Sequence, residues 1–214
     1  MRPTGTRPPA LLVLGLCILA GRATAADPAA IARSGAPGTA PCASCHGASG
    51  EGQGNFPRLA GMDAIYLARQ LEEFASGKRA SAVMTPIAKA LGASERAALA
   101  GYYARLPPPS ATSPAGGNPL GQQLALQGAW SKGVPGCVQC HGPGGRGVGA
   151  SFPALAGQTA GYVSAQLRAF RAGQRTNDPL QLMRGPASKL TDEEIDAVAR
   201  WFAAQPSQRP EETR

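Results

Sequence analysis

Cys42-Ala43-Ser44-Cys45-His46 recurs later in the chain as Cys137-Val138-Gln139-Cys140-His141. Cys-x-x-Cys-His is the attachment pattern of a c-type haem, because the two thiols add across the haem vinyl groups and the histidine is then held against one face of the iron. A thioredoxin-like redox pair and half of a zinc site also use Cys-x-x-Cys, but neither accounts for the histidine. The two motifs therefore predict two covalently bound haem c groups.

The first residues of the chain read as a targeting segment rather than as part of the fold. Arg2 and Arg7 precede an apolar run over residues 10–20, and Ala23-Thr24-Ala25 supplies small residues for cleavage. The run is too short to span a bilayer. We predict a signal peptide over residues 1–25, cleavage after Ala25 and a periplasmic location. The alternative is a lipoprotein modified at Cys17, but Leu16 stands where a small residue is expected.

The residue counts restrict the chemistry. Five cysteines become four without Cys17, all of them in the two motifs, and His46 and His141 are the only histidines. No cysteine or histidine is left for a disulfide, a zinc site or a second haem ligand. Removing the three arginines of the signal peptide lowers the formal charge from +8 to +5. Four haem propionates would bring the protein close to neutral, so its basic pI does not indicate nucleic-acid binding.

An internal repeat organises the rest of the chain. Phe56-Pro57-Arg58-Leu59-Ala60-Gly61 matches Phe152-Pro153-Ala154-Leu155-Ala156-Gly157, and the offset drifts only from 95 residues at the cysteines to 99 at the C-terminal aromatic pairs. Between the copies lies a stretch rich in proline and glycine, which cannot continue a helix. We predict an N-terminal domain over 26–106, a linker over 107–119, a C-terminal domain over 120–206 and a polar tail over 207–214.

The local signals inside both copies are helical. Asp27, Asp63, Thr159 and Thr191 stand where helix N-caps are expected, and Ser94 is the corresponding candidate for the last helix of the first copy. No alternating pattern of a β-strand competes. The predicted fold is therefore all-α, with two tandem domains joined by a Pro/Gly-rich linker.

Each haem needs a ligand opposite its histidine, and the remaining donors are methionine and, less often, lysine. Met84 and Met183 occupy equivalent positions of the repeat, whereas Met62 has Gln158 as its counterpart. Ordinary core packing is the alternative role for such methionines. We predict His46/Met84 and His141/Met183 as the axial pairs. A thioether ligand stabilises ferrous iron and closes the site, which favours electron transfer over catalysis on a small molecule.

Two further pairs of residues lie near the predicted haems. A main-chain carbonyl at Pro57 or Pro153 can accept the Nδ1–H of the proximal histidine and fix the orientation of its ring. Arg79 and Arg175 are candidates for contact with the haem propionates, and the alternative is that they are solvated surface charges.

Charge near the irons differs between the copies. Glu51 in the first copy is matched by Arg146, and Thr85 after the first methionine is matched by Arg184. Negative charge favours ferric iron and positive charge favours ferrous iron. We therefore expect the C-terminal haem to have the higher reduction potential.

Both Cys-x-x-Cys-His motifs, the Phe-Pro-x-Leu-Ala-Gly segments, the Tyr-x3-Gln-Leu-x2-Phe helices and the paired methionines resemble the cytochrome c4 family of dihaem bacterial cytochromes. The resemblance covers nearly the whole mature chain. It implies two class I cytochrome c domains that face each other through their haem propionates. It also implies a periplasmic carrier of the respiratory chain, loosely associated with the membrane, that takes electrons from a quinol-oxidising complex or a dehydrogenase and donates them to a terminal oxidase.

Two other functions stay open. Similar dihaem chains serve as cytochrome subunits of dehydrogenases, for example of flavocytochrome sulfide dehydrogenases, and the motifs do not separate this use from that of a mobile carrier. A haem enzyme acting by itself is disfavoured, because the chain has no third histidine and no spare cysteine. We therefore expect an electron carrier and not an enzyme.

Overall fold

The computed structural model describes residues 27–109 and 118–207. The predicted signal peptide with Cys17, most of the predicted linker and all but the first residue of the predicted tail lie outside the described residues.

Helices dominate both described segments. The first segment contains α1 (Pro28–Ser34), α2 (Ala43–His46), α3 (Ala64–Ala75), α4 (Met84–Ala90) and α5 (Ala93–Arg105). The second contains α6 (Pro119–Leu126), β1 (Gly128–Ala129), β2 (Val134–Pro135), α7 (Val138–His141), α8 (Ala160–Arg171), α9 (Arg184–Ala187) and α10 (Asp192–Ala203), with 3-10 turns at Trp130–Lys132, Pro143–Gly145 and Pro179–Gln181. The two strands form a short antiparallel ladder in which Gly128 pairs with Pro135. The all-α prediction is confirmed.

Four helices begin with a side-chain N-cap at the residue that the sequence predicts. Asp27 accepts from Ala29 N–H (3.0 Å), and Asp63 accepts from Tyr66 N–H (2.8 Å). Two further caps follow the same rule: Thr159 at α8, and Thr191 at α10 within a reciprocal capping box with Glu194. Each such bond satisfies an N–H that the helix itself leaves without a partner.

The predicted cap of α5 at Ser94 is wrong. The helix begins one residue earlier, at Ala93, with Gly92 in the cap position. The side chain of Glu95 accepts from Gly92 N–H at 2.7 Å, so a carboxylate three residues into the helix supplies the bond. Ser94 lies in the first turn and is exposed.

Each half has its own hydrophobic core. In the first half α3 packs against α4 and α5, and in the second half α10 packs against α6 and α8. The first core includes Tyr66, Leu99 and Tyr103, and the second includes Ile195 and Phe202. Two separate cores of this kind are what a tandem repeat produces, since each copy buries its own apolar faces.

The halves dock along the loops that follow their cysteine–histidine motifs. Arg58 is 1% exposed; its Nη2 donates to the carbonyl of Ala156 at 2.9 Å, and its Nη1 donates to the carbonyl of Ala60. The Gln158 side chain accepts from Arg58 N–H (2.6 Å) and donates to Arg58 C=O (3.1 Å). We call this arrangement the Arg58–Gln158 clasp. It joins residues 100 positions apart and sets how the two halves face each other.

A glycine permits a second close approach between the halves. A Cβ on Gly161 in α8 would lie 2.5 Å from Asn55 Oδ1 and 2.8 Å from the carbonyl of Gly54. A larger residue here would push the first half away from α8.

In the two described segments, no helix combines the length and apolar character needed to cross a membrane.

Candidate haem sites

Both histidines sit at the end of a one-turn helix with their rings already oriented. His46 ends α2 and His141 ends α7, and both side chains are buried. His46 Nδ1 lies 2.8 Å from the carbonyl oxygen of Pro57, and His141 Nδ1 lies 2.8 Å from that of Pro153. The predicted contact of each histidine ring with a proline carbonyl is confirmed.

The environment keeps both imidazoles neutral with a free nitrogen. Burial lowers the pKa of His46 and of His141, and the bond to the proline carbonyl opposes that shift only in part. A neutral ring that donates its Nδ1–H to a carbonyl carries its lone pair on Nε2. That is the form in which histidine ligates iron, and the carbonyl increases its basicity.

None of the four motif cysteines forms a disulfide within the described residues. Burial raises the pKa of Cys42, and it raises that of Cys137 to about 11. A catalytic or redox-exchange thiol has a lowered pKa instead, since the thiolate is the reactive form. The environment therefore disfavours a thioredoxin-like pair. Two thiols and an imidazole on one helical turn fit covalent attachment and ligation of a haem.

The two candidate methionines occupy matching places in the fold. Met84 is the first residue of α4, which packs against α3, and Met183 directly precedes α9, which packs against α8. Both are half-buried. Met62, by contrast, is 4% exposed and belongs to the first hydrophobic core. The ligand assignment of Met84 and Met183 stays a prediction.

The backbone N–H groups of the two candidate methionines have different acceptors. Met84 N–H donates to Ser81 Oγ at 3.0 Å, whereas Met183 N–H donates to the Asp178 carboxylate at 3.1 Å.

The two arginines paired by the repeat meet at the interface between the halves. Arg79 donates to Gln70 Oε1 (2.8 Å) and to Gln166 Oε1 (2.7 Å). Arg175 donates to the same two oxygens, at 3.3 and 2.8 Å. Tyr162 Oη also accepts from Arg79 at 2.9 Å. The interpretation of these residues as solvated surface charges is wrong for Arg79, which is 6% exposed.

Ion pairing alters the predicted contrast in charge. Arg184 is paired with Asp178 at 2.8 Å, so the neighbouring carboxylate largely cancels its positive charge. Burial opposes ionisation of Asp178, but the hydrogen bonds from Arg184 and Met183 hold its pKa below the ordinary value. Half of the charge argument for a higher C-terminal potential is thereby removed. The other half rests on the contrast between Glu51 and Arg146. The Glu51 carboxylate accepts from Ser49 N–H at 2.8 Å and lies against Gly47, next to His46.

The cytochrome c family model matches residues 38–106 and again residues 120–204. A cytochrome c4 of Pseudomonas aeruginosa is 37% identical over 195 residues, which cover 90% of this chain and 94% of that protein. This chain belongs to the cytochrome c4 family. As a member of it, the protein carries two covalently bound haem c groups in two cytochrome c domains, and it is an electron carrier rather than a catalytic enzyme.

Two other proteins that are similar to this chain have names that refer to a thiosulfate dehydrogenase. The thiosulfate dehydrogenase electron acceptor of Thiomonas intermedia is 50% identical over 175 residues, covering 79% of this chain and 81% of that protein. The solved structure of the thiosulfate dehydrogenase TsdBA from Marichromatium purpuratum superposes with a TM-score of 0.79 and 40% identity. That match covers 85% of this chain and 40% of the longer TsdBA chain.

Sequence reasoning missed three residues that shape the sites: Arg58, Gln158 and Asp178. At the first two, the internal repeat breaks, because Arg58 is matched by Ala154 and Gln158 by Met62. Asp178 lies where the second copy is longer than the first. The positions where the two copies differ could have indicated these residues, since a residue with a role in only one copy has no equivalent in the other.

Proposed function

We propose that this dihaem cytochrome is a periplasmic electron acceptor for a thiosulfate dehydrogenase and passes the electrons on towards a terminal oxidase. The observation that carries the proposal is the 50% identity to the thiosulfate dehydrogenase electron acceptor of Thiomonas intermedia over most of both chains. The predicted signal peptide supports the periplasmic location, where a cleaved chain keeps four cysteines and all four belong to haem motifs.

In this proposal, Cys42 and Cys45 hold the first haem, and Cys137 and Cys140 hold the second. Each haem supplies a one-electron couple, with iron alternating between the ferric and ferrous states. His46 and Met84 would hold the iron of the first haem, and His141 and Met183 would hold the iron of the second. Because both faces would then be occupied, neither iron offers an open position for a substrate, which suits a carrier.

The protein scaffold contributes rigidity. Both histidine rings are fixed by proline carbonyls at 2.8 Å, so they need not reorient when an electron arrives. The Arg58–Gln158 clasp and the hydrogen bonds of Arg79 and Arg175 hold the two halves in one arrangement. A fixed arrangement favours rapid transfer, because little of the structure has to reorganise at each step.

The test uses the full-length holoprotein in two stopped-flow experiments. The first mixes the ferric protein with purified thiosulfate dehydrogenase and thiosulfate, with sulfide and a flavocytochrome sulfide dehydrogenase as the matched alternative donor. The second mixes the reduced protein with host membranes, with and without an inhibitor of the terminal oxidase. Rapid reduction by the thiosulfate system, followed by inhibitor-sensitive reoxidation, is the expected result. Reduction only by the sulfide system would contradict the proposed donor.

A stable dehydrogenase subunit is the second candidate. It is favoured by TsdBA, in which the region similar to this protein is 40% of a longer chain. This candidate predicts that the cytochrome elutes with a dehydrogenase during size-exclusion chromatography of a periplasmic extract. A mobile carrier elutes alone, at the mass of the mature chain.

A further inference from the structure

The segment before Met183 differs from its counterpart in the first half. Eight positions separate Arg175 from Met183, whereas five separate Arg79 from Met84, so the second copy carries three additional residues. The longer segment contains the 3-10 turn Pro179–Gln181, which directly follows Asp178.

Asp178 binds the backbone at the end of this turn. Its side chain is 5% exposed. Oδ2 accepts from Met183 N–H at 3.1 Å and from Arg184 N–H at 2.8 Å, while Oδ1 accepts from Arg184 Nε at 2.8 Å. A single buried carboxylate therefore binds the N–H groups of two consecutive residues, Met183 and Arg184, at the start of α9.

The turn is backbone-strained. Leu180 and Gln181 both have a φ of +57°, the left-handed region that residues other than glycine rarely adopt. The side chain of Leu180 is 90% exposed, so packing of that side chain does not compensate for the strain. A strained segment persists where its surroundings over-determine it. The bonds from the Asp178 carboxylate to the following backbone supply that restraint.

We propose that Asp178 is a positioning residue of the second haem site, and that it holds the backbone of Met183 so that the thioether stays on the iron. The proposal rests on the assignment of Met183 as a ligand in the proposed function. In the first half, a single neutral hydroxyl, Ser81 Oγ, accepts from Met84 N–H. The second site therefore depends on a charged restraint that the first site does without.

The test follows the axial bond itself, in full-length ferric holoprotein. The readouts are the methionine-to-ferric-iron charge-transfer absorption and the binding of cyanide, and Met84→Ala and Met183→Ala supply the reference spectrum of each site. Asp178→Ala is expected to lose the part of the band that Met183→Ala loses. It is also expected to bind cyanide at that site about tenfold or more tightly than wild type does, from the loss of charge-assisted hydrogen bonds.

Asp178→Asn keeps one side-chain oxygen as an acceptor but loses the charge and the ion pair with Arg184. It is expected to fall between wild type and Asp178→Ala, and it decides the question if the alanine variant does not fold. Asp196→Ala is the matched control, because Asp196 is also paired with an arginine, Arg168, at 2.9 Å, but lies on α10. That control is expected to match wild type in both readouts.

Two results would overturn the proposal. If the Asp178 variants keep the full band and the cyanide affinity of wild type, Asp178 does not position Met183. If wild type itself lacks the band that Met183→Ala should remove, the ligand assignment fails and the positioning role fails with it. The wild-type spectrum thus separates a failure of the ligand assignment from a failure of the positioning role alone.

Discussion

At the scale of single residues, the electrostatic effect of a charged side chain near a haem motif depends on the groups that it contacts. Arg184 follows a predicted ligand, but Asp178 pairs with it at 2.8 Å. The Glu51 carboxylate accepts from Ser49 N–H and lies beside Gly47, next to His46. Glu51 and its counterpart Arg146 therefore carry the expected difference in potential, and Glu51 is the member of the pair in the N-terminal domain.

We expect Glu51→Gln to raise the reduction potential of the N-terminal haem by on the order of tens of millivolts, because removing a negative charge near the iron stabilises the ferrous state. The effect is smaller than that of a buried charge, since solvent screens the exposed side chain of Glu51. A spectroelectrochemical titration of the intact protein measures it. Glu193→Gln, at the start of α10, is the control for a change of the same charge. A fall in the N-terminal potential, or an equal shift from both variants, would contradict the electrostatic argument.

At the scale of elements, the helix caps show which helix starts the local sequence can predict. Thr191 and Glu194 form a reciprocal capping box at α10, with bonds of 3.2 and 2.8 Å. At α5, Glu95 supplies a bond to Gly92 N–H without a hydroxyl partner, so Ser94 has no capping role. The two helices are repeat equivalents that begin by different means.

Thr191→Ala is expected to lower the free energy of unfolding by about 1 kcal/mol, the usual cost of losing a side-chain N-cap. Ser94→Ala, a control in the first turn of the equivalent helix α5, is expected to leave it unchanged or raise it slightly, since alanine is the better helix former within a first turn. Guanidinium titrations followed by far-UV circular dichroism compare the two. Equal losses from both variants would show that Ser94 caps α5 after all.

At the scale of the whole molecule, the Arg58–Gln158 clasp links the two domains by hydrogen bonds. Arg58 is a fully buried cation whose burial lowers its pKa to about 10, and its Nε has no hydrogen-bond partner within the described structure. Its guanidinium reaches the backbone of the other half, and Gln158 pairs with its main-chain groups.

Gln158→Leu leaves the N–H and C=O of Arg58 without partners in a buried place, at a cost of roughly 2–4 kcal/mol. Because the lost bonds join the halves, we expect the two haems to report separate unfolding transitions in guanidinium, where wild type shows coincident ones. Gln123→Leu, an exposed position on α6, is the control. Coincident transitions in Gln158→Leu at an unchanged midpoint would show that the clasp does not couple the halves.

The sequence by itself determined the two haem motifs, the internal repeat, the all-α fold, four of the caps and the proline carbonyls behind the histidines. These features share a physical reason, since each depends on residues within about one helical turn or one loop, where chain connectivity already brings the groups together. The repeat added a second copy of the haem motif and of the proline carbonyl behind its histidine, and a second copy distinguishes a signal from chance.

Only the tertiary structure decided the clasp, the burial of Arg79 between the halves, and the Asp178 bonds to Met183 and Arg184. The clasp joins residues 100 positions apart, and nothing in either local pattern specifies that docking. The Asp178 bonds span only five or six residues, but they require a strained turn that local preference disfavours. Both kinds of contact form because tertiary packing brings together groups that local conformational preferences would leave apart.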